Sequence, residues 1–315
     1  MAHRVAIPVF RGRPVLSTDA PRQRRGSLMT AHPALSVIIP TFNGAAHLAS
    51  QLSALAGEVV RGDFEVVIAD NGSNDDTQAI ASSFTSALAL VMVDASDTIG
   101  QSFARNVGVA SAAADKLVFL DQDDVVAPGY LERISTALDE HQAVAARIET
   151  TTLNPHGMDR VRQVAQSEGL PTDPVPWAYG CTLGVTRFIF EELGGFAVDQ
   201  VGGAEDVDFC WRLHDSGVQL AFVPEAVLRY RFPTTYGALF GQGRRYGYSA
   251  IAVYARRGQR NPRSSLDAWV RGFAWALASI VGSLRRPDRG RAVFLLGRRV
   301  GELEAETHYR VAGRN

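Results

Sequence analysis

The chain's 315 residues, 46% hydrophobic and 21% charged, supply enough apolar material for one large globular domain or two smaller ones, and they exclude disorder, collagen and coiled coil as overall descriptions. Two cysteines, Cys181 and Cys210, are too few for a disulfide framework, and no Cys/His spacing offers a zinc site, so a reducing, cytoplasmic compartment is expected. The net charge of −1 hides a segregation of about +5 over residues 1–30, −14 over 31–249 and +8 over 250–315, so a nucleic-acid partner is not expected and an acidic body that handles an anion needs a metal or well-placed arginines.

Residues 1–33 scatter Pro8, Pro14 and Pro21 among arginines, lack a continuous apolar core, and read as a disordered leader, with Met29 an alternative start. From residue 34 to about 235, short β-branched or apolar runs alternate with helical stretches. Leu35–Pro40, Phe64–Ala69, Leu88–Val93 and Lys116–Leu120 are predicted strands; His47–Leu55, Asp75–Phe84 and Ser102–Ala113 are predicted helices. Asn74 or Asp75 caps the second of these helices. Such βα units imply an α/β fold with a mostly parallel sheet, whose ligands bind at the carboxyl ends of the strands. A helix over Tyr130–Glu140 follows, then an irregular stretch to about Pro176 and a glycine-rich segment. A further helix starts near Glu205 and Asp206, where its dipole favours negative charge. Beyond Pro233 the chain reads as helical, giving a basic C-terminal region over 236–315. Its longest apolar run, Phe273 to Leu284, covers twelve residues where a membrane span needs about 20.

Three acidic groups stand at informative places. Asp121-Gln122-Asp123-Asp124 follows a buried strand, where like charges need a cation; Mg²⁺ or Mn²⁺ suits them, and the alternative is a solvated turn in which Asp124 caps the next helix. Asp70-Asn71-Gly72-Ser73 is either a plain turn or a nucleoside contact. Glu205-Asp206 is either a helix start or a source of a general base. The glycine signatures of dinucleotide folds and P-loops are missing.

Pro40-Thr41-Phe42-Asn43, Asp70-Asn71-Gly72-Ser73, Ala104-Arg105-Asn106-Val107-Gly108, Asp121-Gln122-Asp123-Asp124, Gly194-Gly195-Phe196 and Glu205-Asp206 occur in the order and rough spacing of glycosyltransferase family 2, and residues 35–232 resemble it. The resemblance implies a GT-A fold and an inverting, metal-dependent sugar transferase with a nucleotide-sugar donor. A carbohydrate or lipid-linked acceptor is expected, in cell-surface polysaccharide or glycolipid synthesis. Thr41, Phe42, Asp70, Asn71 and Asp121 would then face the nucleotide, Asn71 standing where many relatives carry an aspartate that binds uracil. Arg105 would contact the nucleotide or its diphosphate. Asp123, with Asp121, would hold Mg²⁺ or Mn²⁺, and Asp206 would be the catalytic base beside Glu205. Arg229 stands where many relatives carry a metal-binding histidine and would take over part of the charge neutralisation. Trp177 and Gly180 fall in the acceptor region, and Gln242 and Arg245 resemble a motif of processive relatives. A non-catalytic GT-A domain and a nucleotidyltransferase are the alternatives.

In the tail, Trp269 to Leu284 is flanked by Arg285, Arg286, Arg289 and Arg291. Either this segment lies on the inner face of a membrane as a peripheral contact, or Trp269, Phe273, Trp275 and Leu277 pack on the body.

Overall fold

The computed structural model describes residues 32–155, 161, 164–198, 203–261, 266–282 and 286–312; most of the expected leader, with Met29, lies outside them, as does Arg285. Among the described residues, eight strands form one sheet in the order β3-β2-β1-β4-β7-β6-β8-β5. β1 (Leu35–Thr41), β2 (Phe64–Asp70), β3 (Leu90–Asp94) and β4 (Lys116–Phe119) build its parallel half. Every residue of β1 is buried, which a helix layer on each face requires, and this is why that strand reads as an unbroken apolar run. The connecting helices are α1 (Leu48–Ala56), α2 (Thr77–Ser83) and α3 (Gln101–Ser111). α1 buries Leu48, Gln51, Leu52 and Leu55, the stripe expected from its spacing. Asp75 accepts from the Thr77 N–H at the start of α2.

The other half of the sheet is mixed. β5 (Val125–Val126) and α4 (Tyr130–Glu140) precede β6 (Ala143–Glu149), which occupies the start of the stretch expected to be irregular. β6 lies between β7 (Leu183–Thr186) and β8 (Leu220–Arg229) and is parallel to β8. Its sequence, Ala-Val-Ala-Ala-Arg-Ile-Glu, has neither alternation nor strong β-formers, because small residues suffice for a central strand covered on both faces. α5 (Arg187–Glu192) and α6 (Glu205–Asp215) complete the α/β body.

Three helices follow: α7 (Tyr236–Arg256), α8 (Leu266–Gly282) and α9 (Arg286–Ala312). α7 and α9 run parallel with their backbones in contact. A Cβ added at Gly243 would lie 2.0 Å from the Phe294 carbonyl oxygen, at Gly247 1.9 Å from that of Arg298, at Gly297 2.2 Å from that of Phe240, and at Gly301 1.9 Å from that of Arg244. Two Gly-x-x-x-Gly pairs thus face each other along a seam that no side chain could enter. No helix among the described residues is long and apolar enough to cross a membrane.

Candidate active site

The paired strands end level, with Thr41 beside Asp70 and Asp70 beside Asp94, and the acidic turn after β4 opens at the same edge. A cleft of about 1800 Å³ runs from this edge, past the start of α6, to the inner faces of α7 and α9. Thr41, Phe42, Asn71, Arg105, Asp121, Asp123, Trp177, Gly180, Glu205, Asp206, Gln242 and Arg245 all line it. Asp70 and Arg229 do not.

Arg105, on α3, is 2% exposed. Its Nη2 donates to Asp121 Oδ1 and its Nη1 to Glu205 Oε1, both at 2.8 Å, which joins residues a hundred positions apart. The guanidinium lies 5.4 Å from the Phe196 ring centroid. Burial is the largest influence on it and would lower its pKa, but the charges of Asp121, Glu205 and Asp206 outweigh burial and hold it above its ordinary value. The arginine expected on a donor diphosphate is therefore spent, in this structure, on two carboxylates. Gly180 stands against it: a Cβ there would come within 2.8 Å of Nη1.

Glu205 is thus neutralised, while Asp206 has no ion-pair partner among the described residues. Asp206 Oδ2 accepts from the Gly180 N–H at 2.9 Å and Oδ1 from the Val207 N–H at 2.8 Å. Burial, reinforced by the neighbouring Glu205 charge, pushes its carboxyl up to about 7. Ala204, in the left-handed region at φ 65°, sets the angle at which α6 begins; few non-glycine residues adopt it, and such outliers gather at functional sites.

The acidic turn is held from several sides. Gln51, on α1, donates to the Asp121 carbonyl at 3.4 Å and accepts from the Val126 N–H at 3.1 Å. Gln122 bonds both the N–H and the carbonyl of Phe42, each at 3.0 Å, so the residue between the two aspartates splices the ends of β1 and β4. Asp121 Oδ1 also accepts from Gln101 at 2.7 Å. Burial and the Asp121 charge raise Asp123 to about 6. Asp124 does not cap α4. Glu58 does so, accepting from the Gly129 and Leu131 N–H groups at 2.8 Å each, whereas Asp124 Oδ1 accepts from the Arg231 N–H at 2.9 Å. Asp124 Oδ2 is buried with no N–H or O–H donor among the described residues, only the Cys181 thiol beside the carboxylate, and burial followed by the charges of Asp123 and Asp121 pushes its pKa well up. Asp121, Asp124 and Cys181 bring ligand atoms within 4.8 Å of one another. Burial pushes the Cys181 thiol well up, so it stays neutral beside them. Two carboxylates, Asp121 and Asp124, thus meet closely enough to be a donor set for a hard divalent cation, whereas Asp123, expected to share the ion with Asp121, is not part of this cluster.

The turn after β2 is structural in its details. Asp70 accepts from the Ser73 N–H at 3.0 Å and from Gln78 at 2.6 Å, and it stays out of the cleft. Asn71 donates to the carbonyls of Ala95 and Thr98 and accepts from the Gly100 N–H at 2.8 Å. An aspartate could not make the two donations, which accounts for the amide at this position. Thr41 is buried, and its hydroxyl lies 3.5 Å from the Ala69 carbonyl; Phe42 is exposed at the cleft mouth. Trp177 packs edge-on against Tyr179. Gln242 donates to the Tyr230 hydroxyl at 3.4 Å and leaves its buried Oε1 without a partner. Besides Arg105, the acidic turn is reached by Arg231 and not by the expected Arg229, two residues earlier: the Arg231 Nε donates to the Asp123 carbonyl at 2.8 Å. No motif marks Arg231 or Gln122; only the folded chain shows what they hold.

Comparison with known proteins gives this site its lineage. Residues 36–194 match glycosyl transferase family 2, and residues 116–296 match glycosyl transferase family group 2. The chain belongs to glycosyl transferase family 2. It is 32% identical over 237 residues to the validoxylamine A glucosyltransferase of Streptomyces hygroscopicus subsp. jinggangensis, covering 62% of this chain and 55% of that one. It is 30% identical over 265 residues to the glycosyltransferase AglE of Haloferax volcanii, covering 81% and 83%. The chain thus spans little more than half of the first relative. Among solved structures, the mannosyltransferase PcManGT from Pyrobaculum calidifontis, in complex with GDP-Man and Mn²⁺, superposes with a TM-score of 0.59 at 20% identity over 87% of this chain and 88% of that one. TarS of S. aureus gives 0.53 at 18%, over 86% and 55%. The expected GT-A fold is thereby established.

Proposed function

We propose that this chain transfers a sugar from a nucleotide-diphosphate donor to an acceptor hydroxyl in a single inverting displacement. The observation that carries this is Asp206: a carboxylate in the cleft wall with no ion-pair partner among the described residues, in the same cleft as Asp121 and Asp123. Asp206 takes the acceptor proton as the hydroxyl attacks the anomeric carbon. Glu205, held by Arg105, fixes the start of α6 and keeps Asp206 in place. Asp123 and Asp121 are the proposed ligands of Mg²⁺ or Mn²⁺, which when bound neutralises charge on the departing diphosphate. Thr41, Phe42 and Asn71 border the nucleoside end; Trp177 and Gly180 border the acceptor end, with Gln242 and Arg245 on the α7 wall. The GDP-Man and Mn²⁺ of PcManGT support a donor and cation of this kind. The acceptor is a carbohydrate or a lipid-linked group, and attachment to the inner face of a membrane through the basic C-terminal region belongs to the same reading.

The test is thermal stabilisation by nucleoside diphosphates with and without Mn²⁺. Stabilisation that needs Mn²⁺ and vanishes in Asp123→Ala, with the fold retained, is the expected result. Equal Mn²⁺-dependent stabilisation in that variant overturns the metal assignment.

A further inference from the structure

α8 divides its side chains between two surroundings. Trp269 and Phe273 stack on each other at 5.1 Å between ring centroids and 14° between planes, and the Trp269 indole N–H donates to the Arg299 carbonyl of α9 at 2.8 Å. Trp269 also lines the cleft. The aromatic residues named as alternatives for packing or membrane contact are therefore split, because Trp275 and Leu277 point elsewhere. Val270 is 50% exposed, Trp275 49% and Leu277 44%, with Ala274 and Ala278 exposed beside them. Positions 270, 274, 277 and 278 recur at helical spacing, so they form one continuous apolar strip, with Trp275 along its edge.

Cations flank this strip. Arg271 is exposed and paired with Asp267 at 2.5 Å, and the guanidinium of Arg291 on α9 lies 5.9 Å from the Trp275 ring centroid. The surrounding sequence carries thirteen arginines against five acids over residues 250–315, while the body is strongly acidic. An apolar strip edged by arginine on a basic segment matches the headgroup boundary of an anionic bilayer.

We propose that the outer face of α8 is an interfacial helix that seats this chain on an anionic lipid surface. The proposal rests on the sugar-transfer reading only for its purpose: Trp269 of the same helix lines the cleft, so seating α8 brings the cleft alongside a lipid-linked acceptor.

The experiment is co-sedimentation of the full chain with vesicles of phosphatidylcholine alone, or of phosphatidylcholine with phosphatidylglycerol, at low and high salt. Binding to the anionic vesicles at low salt, weakened by salt, is expected. Trp275→Ser with Leu277→Ser should reduce it by about tenfold or more. Should that pair fail to fold, Val270→Ser with Ala274→Ser probes the same strip. Three results overturn the proposal: wild type left in the supernatant with both vesicle types at low salt, a folded variant sedimenting like wild type, or a wild-type dimer that the variant turns into monomer, showing a second copy on this face. Stabilisation by nucleoside diphosphate and Mn²⁺ is read on the same samples. If it persists while sedimentation fails, only the membrane seat falls; if it is lost while sedimentation persists, only the transfer reading falls.

Discussion

Replacing Arg105 by methionine keeps the length of the side chain and removes its charge. The two ion pairs it leaves behind are unequal. The Glu205 side chain is 9% exposed and becomes a buried carboxylate without a partner, whereas that of Asp121 is 25% exposed and keeps Gln101 at 2.7 Å. Removing one partner of a buried pair costs about 3–5 kcal/mol, and Glu205 bears most of it here. At about 2–4 °C per kcal/mol for a domain of this size, Tm should fall by about 6–20 °C. Urea unfolding measured by circular dichroism, without nucleotide or metal, is the suitable assay. Adding Glu205→Gln to Arg105→Met should restore about 1–3 kcal/mol, since the uncompensated charge is then gone. A variant within about 0.5 kcal/mol of wild type would show that the triad is solvated and does not fasten α3 to α6.

The remaining predictions concern the base, the helical seam and the β2 turn. Asp206→Asn should lower turnover by about 10²–10⁴ while donor affinity is kept. Because Asp206, facing Glu205, Arg105, Cys181 and Cys210, is raised to about 7, its basic form is lost as pH falls; kcat/KM should rise through about pH 7 and then level off, and a wild-type profile flat from about pH 6 to 8 would sink the assignment. Gly247→Ala places a methyl 1.9 Å from the Arg298 carbonyl oxygen and should cost about 3 kcal/mol in urea unfolding, whereas Gly237→Ala, with nothing within 4 Å, should cost nothing measurable. Asn71→Asp sets a carboxylate against the carbonyls of Ala95 and Thr98 and should cost about 2–3 kcal/mol by the same assay.

The parallel half of the sheet is legible because its strands are buried on both faces and punctuated by polar turns: β1, β2 and β4 fall within a residue of their apolar runs, and the helix over Tyr130–Glu140 begins and ends as expected. β6 escapes because alanine carries no strand signal, and its place is decided by the layers that cover it. At the site, motif spacing brings Asp121, Asp123, Arg105, Glu205 and Asp206 to one cleft. It does not convey which partner each takes. The Arg105–Glu205 bond spans a hundred residues, and the cap on α4 comes from Glu58 rather than from the nearer Asp124. Arg229 and Arg231 are indistinguishable by type, and only where β8 ends determines which of them turns toward the acidic loop.

The glycine seam between α7 and α9 has a bearing on re-engineering. Gln242, Arg245, Arg298 and Arg299 project into the cleft from two helices already touching at the backbone. Trimming side chains along the seam cannot draw these helices closer, and enlarging them pries the pair apart, so this wall behaves as a rigid gauge. Attempts to broaden or narrow what the cleft admits should leave it untouched and vary the lining segment from Pro171 to Trp177, ahead of Gly180 and its bond to Asp206, where loop backbone can be rebuilt without forcing two helices apart.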